Sequence, residues 1–273
     1  MIISMVAGEA SGDQLGAALI RAIRLQCPDV QFAGIGGPLM KAEGMDCWWD
    51  TSELSVMGLV EVISHLPRLI KLRRQLLSRI VTLNPDVFVG IDAPDFNIGL
   101  QKKLRKHTIP VIQYVSPTVW AWRPGRVKTI ARSTERVMCL FPFEADFYQN
   151  QNVEADYTGH PMADEIPFKV EPGPARLALD IIGDEPCVAL LPGSRLSEVE
   201  KLSAPMLEAA VALTAKYPGI RFLMPAASPL TRDYFEAKLG GYPSVDCRVF
   251  DGRSKEIMAA SDVVVCASGT ATL

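Results

Sequence analysis

The sequence predicts an α/β protein built from two Rossmann-like domains. Short apolar segments rich in β-branched residues recur along its 273 residues, and segments with helical spacing separate them. These apolar segments do not alternate with polar residues, which is typical of parallel strands covered on both faces. A stretch rich in Pro and Gly divides the pattern into two series. We therefore predict domains at 1–165 and 187–273, joined by a linker at 166–186.

The first series begins with the apolar run at 2–7, and apolar residues at helical spacing follow between 15 and 23. Gly36-Gly37-Pro38 ends the next strand, and Asn84-Pro85 ends a long helix. The predicted strands of this series lie at 2–7, 30–35, 86–91, 111–115 and 137–140. The predicted helices lie at 15–23, 60–83, 100–106 and 126–133.

The second series repeats the alternation after the linker, which carries a short helix at 175–179. Its predicted strands lie at 187–191, 220–224, 247–250 and 262–267. Its predicted helices lie at 197–217, 231–239 and 255–260. The chain stops just after the last strand, where a covering helix should follow, so we expect a truncated chain with an incomplete second domain.

Charge is distributed unevenly along the chain. The overall net charge is -3, but residues 66–136 hold 14 Lys or Arg and four acidic residues, a local net of +10. The remainder carries a net of -13. This asymmetry favours an anionic partner such as a phosphorylated substrate, an anionic lipid or a nucleic acid, although solvated helix faces explain any single charge run. The basic residues form no recognised nucleic-acid motif, so we expect no nucleic-acid partner.

Cysteine and histidine positions argue against a metal site. The six cysteines form no C-x-x-C pair, and the three histidines lie far apart. No D-x-D pair is present either. We therefore expect no metal, no cofactor and reduced thiols in the cytosol.

The turn Gly8-Glu-Ala-Ser-Gly-Asp13 joins the first strand to a helix. Its glycines permit close backbone approach, and a helix N-terminus attracts anions. It matches neither a Walker A loop nor a dinucleotide fingerprint. Two interpretations stay open: a ligand loop, or Asp13 as a simple helix cap.

Asp92 lies in Asp92-Ala-Pro-Asp95, at the end of the strand predicted over 86–91. Ligands of parallel sheets bind beyond the carboxyl ends of strands, so this carboxylate could accept a proton from a bound hydroxyl. The alternative is a turn-forming Asp before Pro, with Asp95 capping the next helix.

Two further turns combine small residues with hydrogen-bond donors. Pro192-Gly-Ser-Arg195 and Ser268-Gly269-Thr270 both follow predicted strands of the second series. Exposed backbone N–H groups and a guanidinium suit phosphate oxygens, so together these turns predict a diphosphate cradle.

Two segments carry aromatic or aliphatic residues beside basic ones. Trp120-Ala-Trp122-Arg-Pro-Gly-Arg126 suits a stacked sugar or base or a membrane interface, although core packing explains at least one tryptophan. Residues 66–80 hold five basic and no acidic residues among large aliphatics. That composition is typical of a helix lying on anionic lipid, or of a core helix with a basic outer face.

Seven motifs occur in order and together resemble one family, the lipid-A-disaccharide synthases, which are GT-B glycosyltransferases of Gram-negative bacteria. They are Gly8-Glu-Ala-Ser-Gly-Asp13, Val89-Gly-Ile-Asp-Ala-Pro-Asp-Phe-Asn97, Tyr114-Val-Ser-Pro-Thr-Val-Trp-Ala-Trp-Arg123, Pro142-Phe-Glu144, Gly159-His-Pro161, Leu190-Leu-Pro-Gly-Ser-Arg195 and Ala267-Ser-Gly-Thr-Ala271.

The resemblance implies an inverting transfer from UDP-2,3-diacylglucosamine to 2,3-diacylglucosamine 1-phosphate, on the cytoplasmic face of the inner membrane. It implies that Asp92 is the general base and that Arg195 stabilises the departing UDP. Under this interpretation, the donor site comprises Gly193, Ser194, Arg195, Ser268, Gly269 and Thr270. The acceptor site comprises Glu9, Ser11, Gly12 and Asp13. The membrane-binding residues are Leu69, Lys71, Leu72, Arg73, Arg74 and Leu76.

The resemblance also implies limits and rivals. Family members continue beyond the Ser-Gly-Thr turn, so we expect the 273-residue chain to be inactive alone. The rival enzymes are other GT-B proteins acting on UDP-amino sugars, such as a UDP-N-acetylglucosamine epimerase or a peptidoglycan glucosaminyltransferase. A non-catalytic nucleotide- or membrane-binding module is a rival of another class. A homo-oligomer stays open.

Overall fold

A computed structural model describes residues 1–54, 59–117, 124–151 and 153–268, with residues 59–66 and 124 described by their backbone only. The chain divides into two compact units, Met1–Glu165 and Ile166–Leu273. Each unit is a parallel sheet with helices packed on it, so the predicted α/β class is confirmed.

The first unit is a seven-stranded parallel sheet in the order β3-β2-β1-β4-β5-β6-β7. The strand order reverses at the β1–β4 pair. From β1 the sheet extends in one direction through β2 to β3, and in the other direction from β4 to β7. The strands are β1 (Ile2–Ala7), β2 (Gln31–Gly36), β3 (Asp46–Asp50), β4 (Val87–Ile91), β5 (Val111–Tyr114), β6 (Arg136–Cys139) and β7 (Ala155–Tyr157).

Helices connect these strands and cover the sheet. They are α1 (Ala10–Gln26), α2 (Pro38–Ala42), α3 (Leu59–Leu83), α4 (Pro94–Lys106), α5 (Val127–Ala131), α6 (Pro142–Gln149) and α7 (Met162–Glu165), with 3-10 turns at Thr51–Glu53 and Pro124–Arg126.

Both faces of the first sheet are buried, which explains why its strands lack alternation. Ile3 and Met5 of β1 pack with Ile20 of α1 on one face, whereas Val6 packs with Leu100 of α4 on the other. Each fully buried side chain of this kind contributes about 1.5–3 kcal/mol, so the two apolar faces hold the helices to the sheet.

The second unit is a four-stranded parallel sheet in the order β10-β9-β8-β11. Its strands are β8 (Cys187–Leu191), β9 (Arg221–Ala226), β10 (Cys247–Asp251) and β11 (Val263–Cys266). Its helices are α8 (Pro172–Ala178), α9 (Leu196–Lys216), α10 (Pro229–Leu239) and α11 (Ser254–Ala260). The segment 166–186, expected as a linker, lies within this unit, and its Leu179 and Ile181 are buried in the core of the second sheet.

Five helices or strands were not predicted, all of them short: β3, β7, α2, α6 and the four-residue α7. β3 reads Asp-Cys-Trp-Trp-Asp and has only half-buried inner residues, so it lacks the apolar run of a central strand. β7 has three residues. α2 and α6 have five and eight residues, too few to establish a helical period.

Candidate functional site

Two turns meet where the strand order of the first sheet reverses. Gly8 and Glu9 follow β1, and Asp92 and Ala93 follow β4. A Cβ added to Gly8 would lie 2.6 Å from the Cβ of Ala93, so the close approach of the turns requires glycine at position 8. In open parallel sheets, ligands bind beyond the carboxyl ends of the strands at such a reversal.

The backbone of the second of these turns is strained. Asp92 and Ala93 have φ angles of 47° and 42°, in the left-handed region that residues with a Cβ rarely adopt. Val115, which follows the neighbouring strand β5, has a φ of 75°, unusual for a β-branched residue. Such strain persists only where surrounding contacts enforce it, and it clusters at functional sites.

The environment of Asp92 favours its protonated form. Burial raises the pKa of the Asp92 carboxyl, and the negative charge of Glu9 raises it further, whereas the Ala93 backbone N–H lowers it. A carboxylate whose pKa is raised is a stronger base than an ordinary aspartate once it is ionised, which suits proton abstraction.

The predicted acceptor residues divide into two groups. Glu9 is exposed at the N-cap of α1, and Ser11 is half-buried in its first turn. Gly12 is buried, and a Cβ there would contact Ala7 at 3.4 Å, so its role is packing against β1. The fourth residue, Asp13, is only 2% exposed.

Asp13 requires a correction, since it does not cap α1 and its carboxylate is buried against the backbone of α2. It lies inside α1, and its carboxylate accepts hydrogen bonds from the backbone N–H groups of Gly37, Leu39 and Met40 at 2.8, 2.9 and 3.0 Å. These groups form the N-terminus of α2, where an unpaired N–H otherwise remains. A Cβ on Gly37 would lie 2.5 Å from the carboxylate, so this close contact between Asp13 and the start of α2 requires glycine at position 37.

The second unit presents its small-residue turn between β8 and α9. Gly193 has a φ of 125°, and a Cβ there would lie 2.4 Å from Glu198 Oε2. The backbone N–H groups of Ser194 and Arg195 donate to that oxygen at 3.1 and 3.2 Å. The Arg195 guanidinium lies 3.4 Å from Glu198 Oε1. The turn therefore already holds one anionic group, which shows that its donors converge.

Ser268 reaches the same edge of the second sheet. β11 pairs with β8, with Cys266 beside Leu191, and the N–H of Ala267 donates to the Leu191 carbonyl at 2.8 Å. Ser268 is exposed and follows immediately. Gly269 and Thr270, like the Trp120 to Arg123 part of the aromatic motif, lie outside the described residues.

The helix expected on the membrane is in part a core helix. Leu72 and Leu76 are 6% and 0% exposed and pack beneath the first sheet, so the prediction that they contact lipid is corrected. Lys71 and Arg74 are exposed, while Leu69 and Arg73 are half-buried. The apolar period of α3 points inward, and its basic residues form the outer face.

Asp95 forms an ion pair with Arg126 and does not cap α4, whose N-cap is Ala93. Within the described ranges, no cluster of three or more metal-ligating side chains occurs. No helix in the described part of the chain is long and apolar enough to cross a membrane.

Three buried amides near Asp92 were not predicted as functional residues, although Asn97 ends one of the seven motifs. Asn97 and Gln101 lie one turn apart on α4, and Gln113 lies in β5, all at most 1% exposed. A further signal was that these polar residues lie on the inward face of an amphipathic helix and in an apolar strand.

The fold resembles GT-B glycosyltransferases and sugar-nucleotide epimerases. A glycotransferase of kitacinnamycin aligns with a TM-score of 0.65 at 17% identity, over 99% of this chain and 76% of that chain. The UDP co-structure of MnaA from S. aureus aligns with a TM-score of 0.66 at 12% identity, over 98% of this chain and 74% of that chain. At these identities the likeness defines the class of fold alone.

Sequence comparison defines the family. Residues 3–273 match the model of the lipid-A-disaccharide synthetase family, and the chain belongs to that family. It is 51% identical to the lipid-A-disaccharide synthase of Alkalilimnicola ehrlichii and 48% identical to that of Serratia proteamaculans. In both comparisons the whole chain matches 72% of the relative's length.

Proposed function

We propose that this chain is the glycosyltransferase that joins UDP-2,3-diacylglucosamine to 2,3-diacylglucosamine 1-phosphate, giving a β-1,6-linked disaccharide 1-phosphate and UDP. The observation that carries the proposal is the Asp92 carboxyl, at the reversal point of the first sheet and with its pKa raised by burial. Family membership supports the choice of substrates.

Asp92 is the general base of the proposed reaction. Its carboxylate takes the proton of the acceptor's 6-hydroxyl as that oxygen forms a bond to the anomeric carbon of the donor sugar. The bond from that carbon to the UDP oxygen breaks, and its electron pair leaves with UDP. Attack from the opposite face inverts the anomeric configuration. General-base assistance of this kind is worth about 10²–10⁴-fold in rate.

The turn at Gly193, Ser194 and Arg195 handles the leaving group. Its backbone N–H groups and guanidinium converge on one carboxylate, so they suit the phosphate oxygens of a diphosphate. Preorganised donors at a developing anion stabilise the transition state without a metal. Ser268 adds a hydroxyl from the adjacent strand end.

A transfer assay tests the proposal, run on the 273-residue chain and on a form extended to the length of its relatives. We expect the extended form to make disaccharide from the two acylated substrates and to reject the deacylated donor. Asp92→Asn should lower turnover about 10²–10⁴-fold while UDP binding is retained. The matched control is Asp95→Asn, which removes an exposed carboxylate three residues away and should change turnover less than about threefold.

Three outcomes would contradict this function. One is the absence of disaccharide from the extended form. Another is equal use of acylated and deacylated donor. The third is epimerisation of UDP-N-acetylglucosamine, followed by proton NMR, which would support the epimerase alternative. Unchanged turnover in Asp92→Asn would overturn the assignment of the base alone.

We also propose that the outer face of α3 binds the anionic inner face of the inner membrane, so that the protein is peripheral there. Lys71 and Arg74 are exposed on this face, and a basic residue near an anionic bilayer contributes about 1 kcal/mol. The doubly substituted Lys71→Glu, Arg74→Glu chain should lose sedimentation with phosphatidylglycerol vesicles. The control pair is Lys102→Glu, Lys103→Glu on α4, and an equal loss there would contradict the proposal.

A further inference from the structure

A cluster of buried amides lies beneath the carboxyl end of β4. Asn97 and Gln101 are both 0% exposed, and Gln113 is 1% exposed. They lie within the core that β4, β5, α3 and α4 otherwise fill with apolar side chains. Burying a polar group costs free energy unless it is hydrogen-bonded, so an amide cluster in such a core calls for an explanation from its contacts.

Two of the amides hold the backbone of Asp92. Asn97 Nδ2 donates to the Asp92 carbonyl at 2.9 Å and lies 3.4 Å from the carbonyls of Val6 and Ile91. Gln113 Nε2 lies 3.3 Å from the Asp92 carbonyl and 3.2 Å from the carbonyls of Tyr114 and Val115. The two amide groups therefore supply side-chain donors to main-chain carbonyls near the carboxyl ends of β1, β4 and β5.

The third amide, Gln101, fixes the orientation of Gln113. Gln101 Nε2 donates to Gln113 Oε1 at 2.6 Å, so the Nε2 group of Gln113 is directed at the carbonyls. Gly90 makes room for this pair, since a Cβ there would lie 2.5 Å from Gln101 Nε2. The arrangement thus depends on the glycine in the middle of β4 as well as on the amides.

Two of the carbonyls that these amides contact belong to strained residues. Asp92 and Val115 have φ angles of 47° and 75°, and both accept from Gln113. A non-glycine residue in this region is strained and persists only where surrounding contacts enforce it. Each hydrogen bond to a buried carbonyl contributes to the stability of the folded state, and several such bonds offset the strain.

We propose that Asn97 and Gln113, oriented in part by Gln101, are positioning residues that hold the Asp92 turn in its left-handed conformation and so place the carboxylate for proton transfer. This inference rests on the proposed function. Asn97 and Gln113 reach Asp92 at its main-chain carbonyl, and they act on the reaction through that backbone.

Substitutions graded by distance from Asp92 test the proposal in the extended form. Asn97→Asp and Gln113→Met remove a donor to the Asp92 carbonyl, and Gln101→Met removes only the bond that orients Gln113. We expect kcat to fall about 10- to 100-fold in the first two, because small misplacements have effects of that size. The kcat of Gln101→Met should fall by less, and the KM of all three variants should stay within about threefold of the unsubstituted value.

Thr134→Val is the matched control. Thr134 is 3% exposed, and its hydroxyl donates to the carbonyls of Val111 and Arg136, at the opposite end of β5. Thr134→Val should lose about as much unfolding free energy as Asn97→Asp and Gln113→Met, but its kcat should be unchanged. An equal fall of kcat in this control, an unchanged kcat in Asn97→Asp and Gln113→Met, or a change in KM alone would overturn the proposal.

Amide hydrogen exchange separates this inference from the proposed function, because it needs no substrate. The Asp92 and Val115 N–H groups donate to the carbonyls of Tyr114 and Met138. Gln113→Met and Gln101→Met should speed exchange of both about tenfold or more, while Thr134→Val leaves them unchanged. If exchange is faster in these variants but the unsubstituted protein shows no turnover, the proposed function is refuted, while the role of the amides in holding the Asp92 turn is retained. Unchanged exchange would overturn the holding role itself.

Discussion

Two turns of this molecule each connect a parallel strand to the helix that follows it, yet they reach a positive φ in different ways. The turn after β4 places Asp92 and Ala93 in the left-handed region without a glycine, and buried amides hold it. The turn after β8 uses a glycine, Gly193, for its positive φ and is exposed at Ser194 and Arg195. A base needs one fixed position, whereas a cradle of N–H groups needs only convergent donors. Strain is therefore found at the first turn and glycine at the second.

Acid sensitivity is the largest difference expected between the two turns. Asp92 acts as a base only when deprotonated, and burial followed by the charge of Glu9 raises the pKa of its carboxyl. The acidic limb of kcat should therefore lie at higher pH than for an ordinary aspartate, with a tenfold loss of rate per pH unit below it. UDP binding at the second turn should not follow this limb. The measurement is the pH profile of kcat beside that of UDP affinity.

Glu9→Gln sharpens this test. It removes a negative charge that raises the pKa of Asp92, so the acidic limb of kcat should move to lower pH. Asp95→Asn is the control, because the Asp95 carboxylate pairs with Arg126. A limb that stays in place after Glu9→Gln would show that Asp92 is not the titrating group.

Gly193→Ala should break the second turn. The new Cβ would meet Glu198 Oε2 at 2.4 Å on a backbone with a φ of 125°. We expect a loss of about 1–3 kcal/mol in the unfolding free energy of the second unit, measured with urea, and weaker UDP binding by calorimetry. Gly173→Ala is the control, since nothing lies within 4 Å of its Cβ position. Equal losses in both variants would refute the geometric argument.

Ala93→Gly should have the opposite effect on stability at the first turn. Glycine relieves the left-handed strain at φ 42°, so the unfolding free energy of the first unit should rise by up to about 1 kcal/mol. Turnover should fall several-fold because the turn is freer. Ala18→Gly in the middle of α1 should instead lose about 1 kcal/mol. A destabilised Ala93→Gly would mean that the turn is not strained.

Glu198→Gln should give the smallest effect. Glu198 accepts from the N–H groups that we assign to the donor diphosphate. Removing its charge should tighten UDP binding about threefold through lost repulsion and cost about 0.5 kcal/mol at the N-terminus of α9. Glu200→Gln, two residues along on an exposed position, should change neither. Weaker UDP binding in Glu198→Gln would show that its carboxylate supports the cradle instead.

Much of the fold could be predicted from the sequence, because buried parallel strands leave a direct signal. The runs at β1, β4 and β8 were predicted to within a residue. β3 was not, since its Asp-Cys-Trp-Trp-Asp sequence has no apolar run. For the site, motif order identified Asp92 and Arg195 as candidates. It also assigned Asp13 to the acceptor site, whereas the Asp13 carboxylate is buried against the N-terminus of α2. A buried carboxylate and a ligand-binding carboxylate look alike in sequence.

By itself, the sequence determined the α/β class, the two series of strands, the charge asymmetry and the family. Each of these depends on the local apolar period, the composition or the order of motifs, and these are properties of residues that are close together or ordered along the chain. The tertiary structure alone decided that Asp13 caps α2, that Leu72 and Leu76 are core residues, and that Asn97 and Gln113 hold Asp92. These contacts join residues brought together by the sheet and its helices, and their hydrogen bonds depend on distances that no linear pattern encodes.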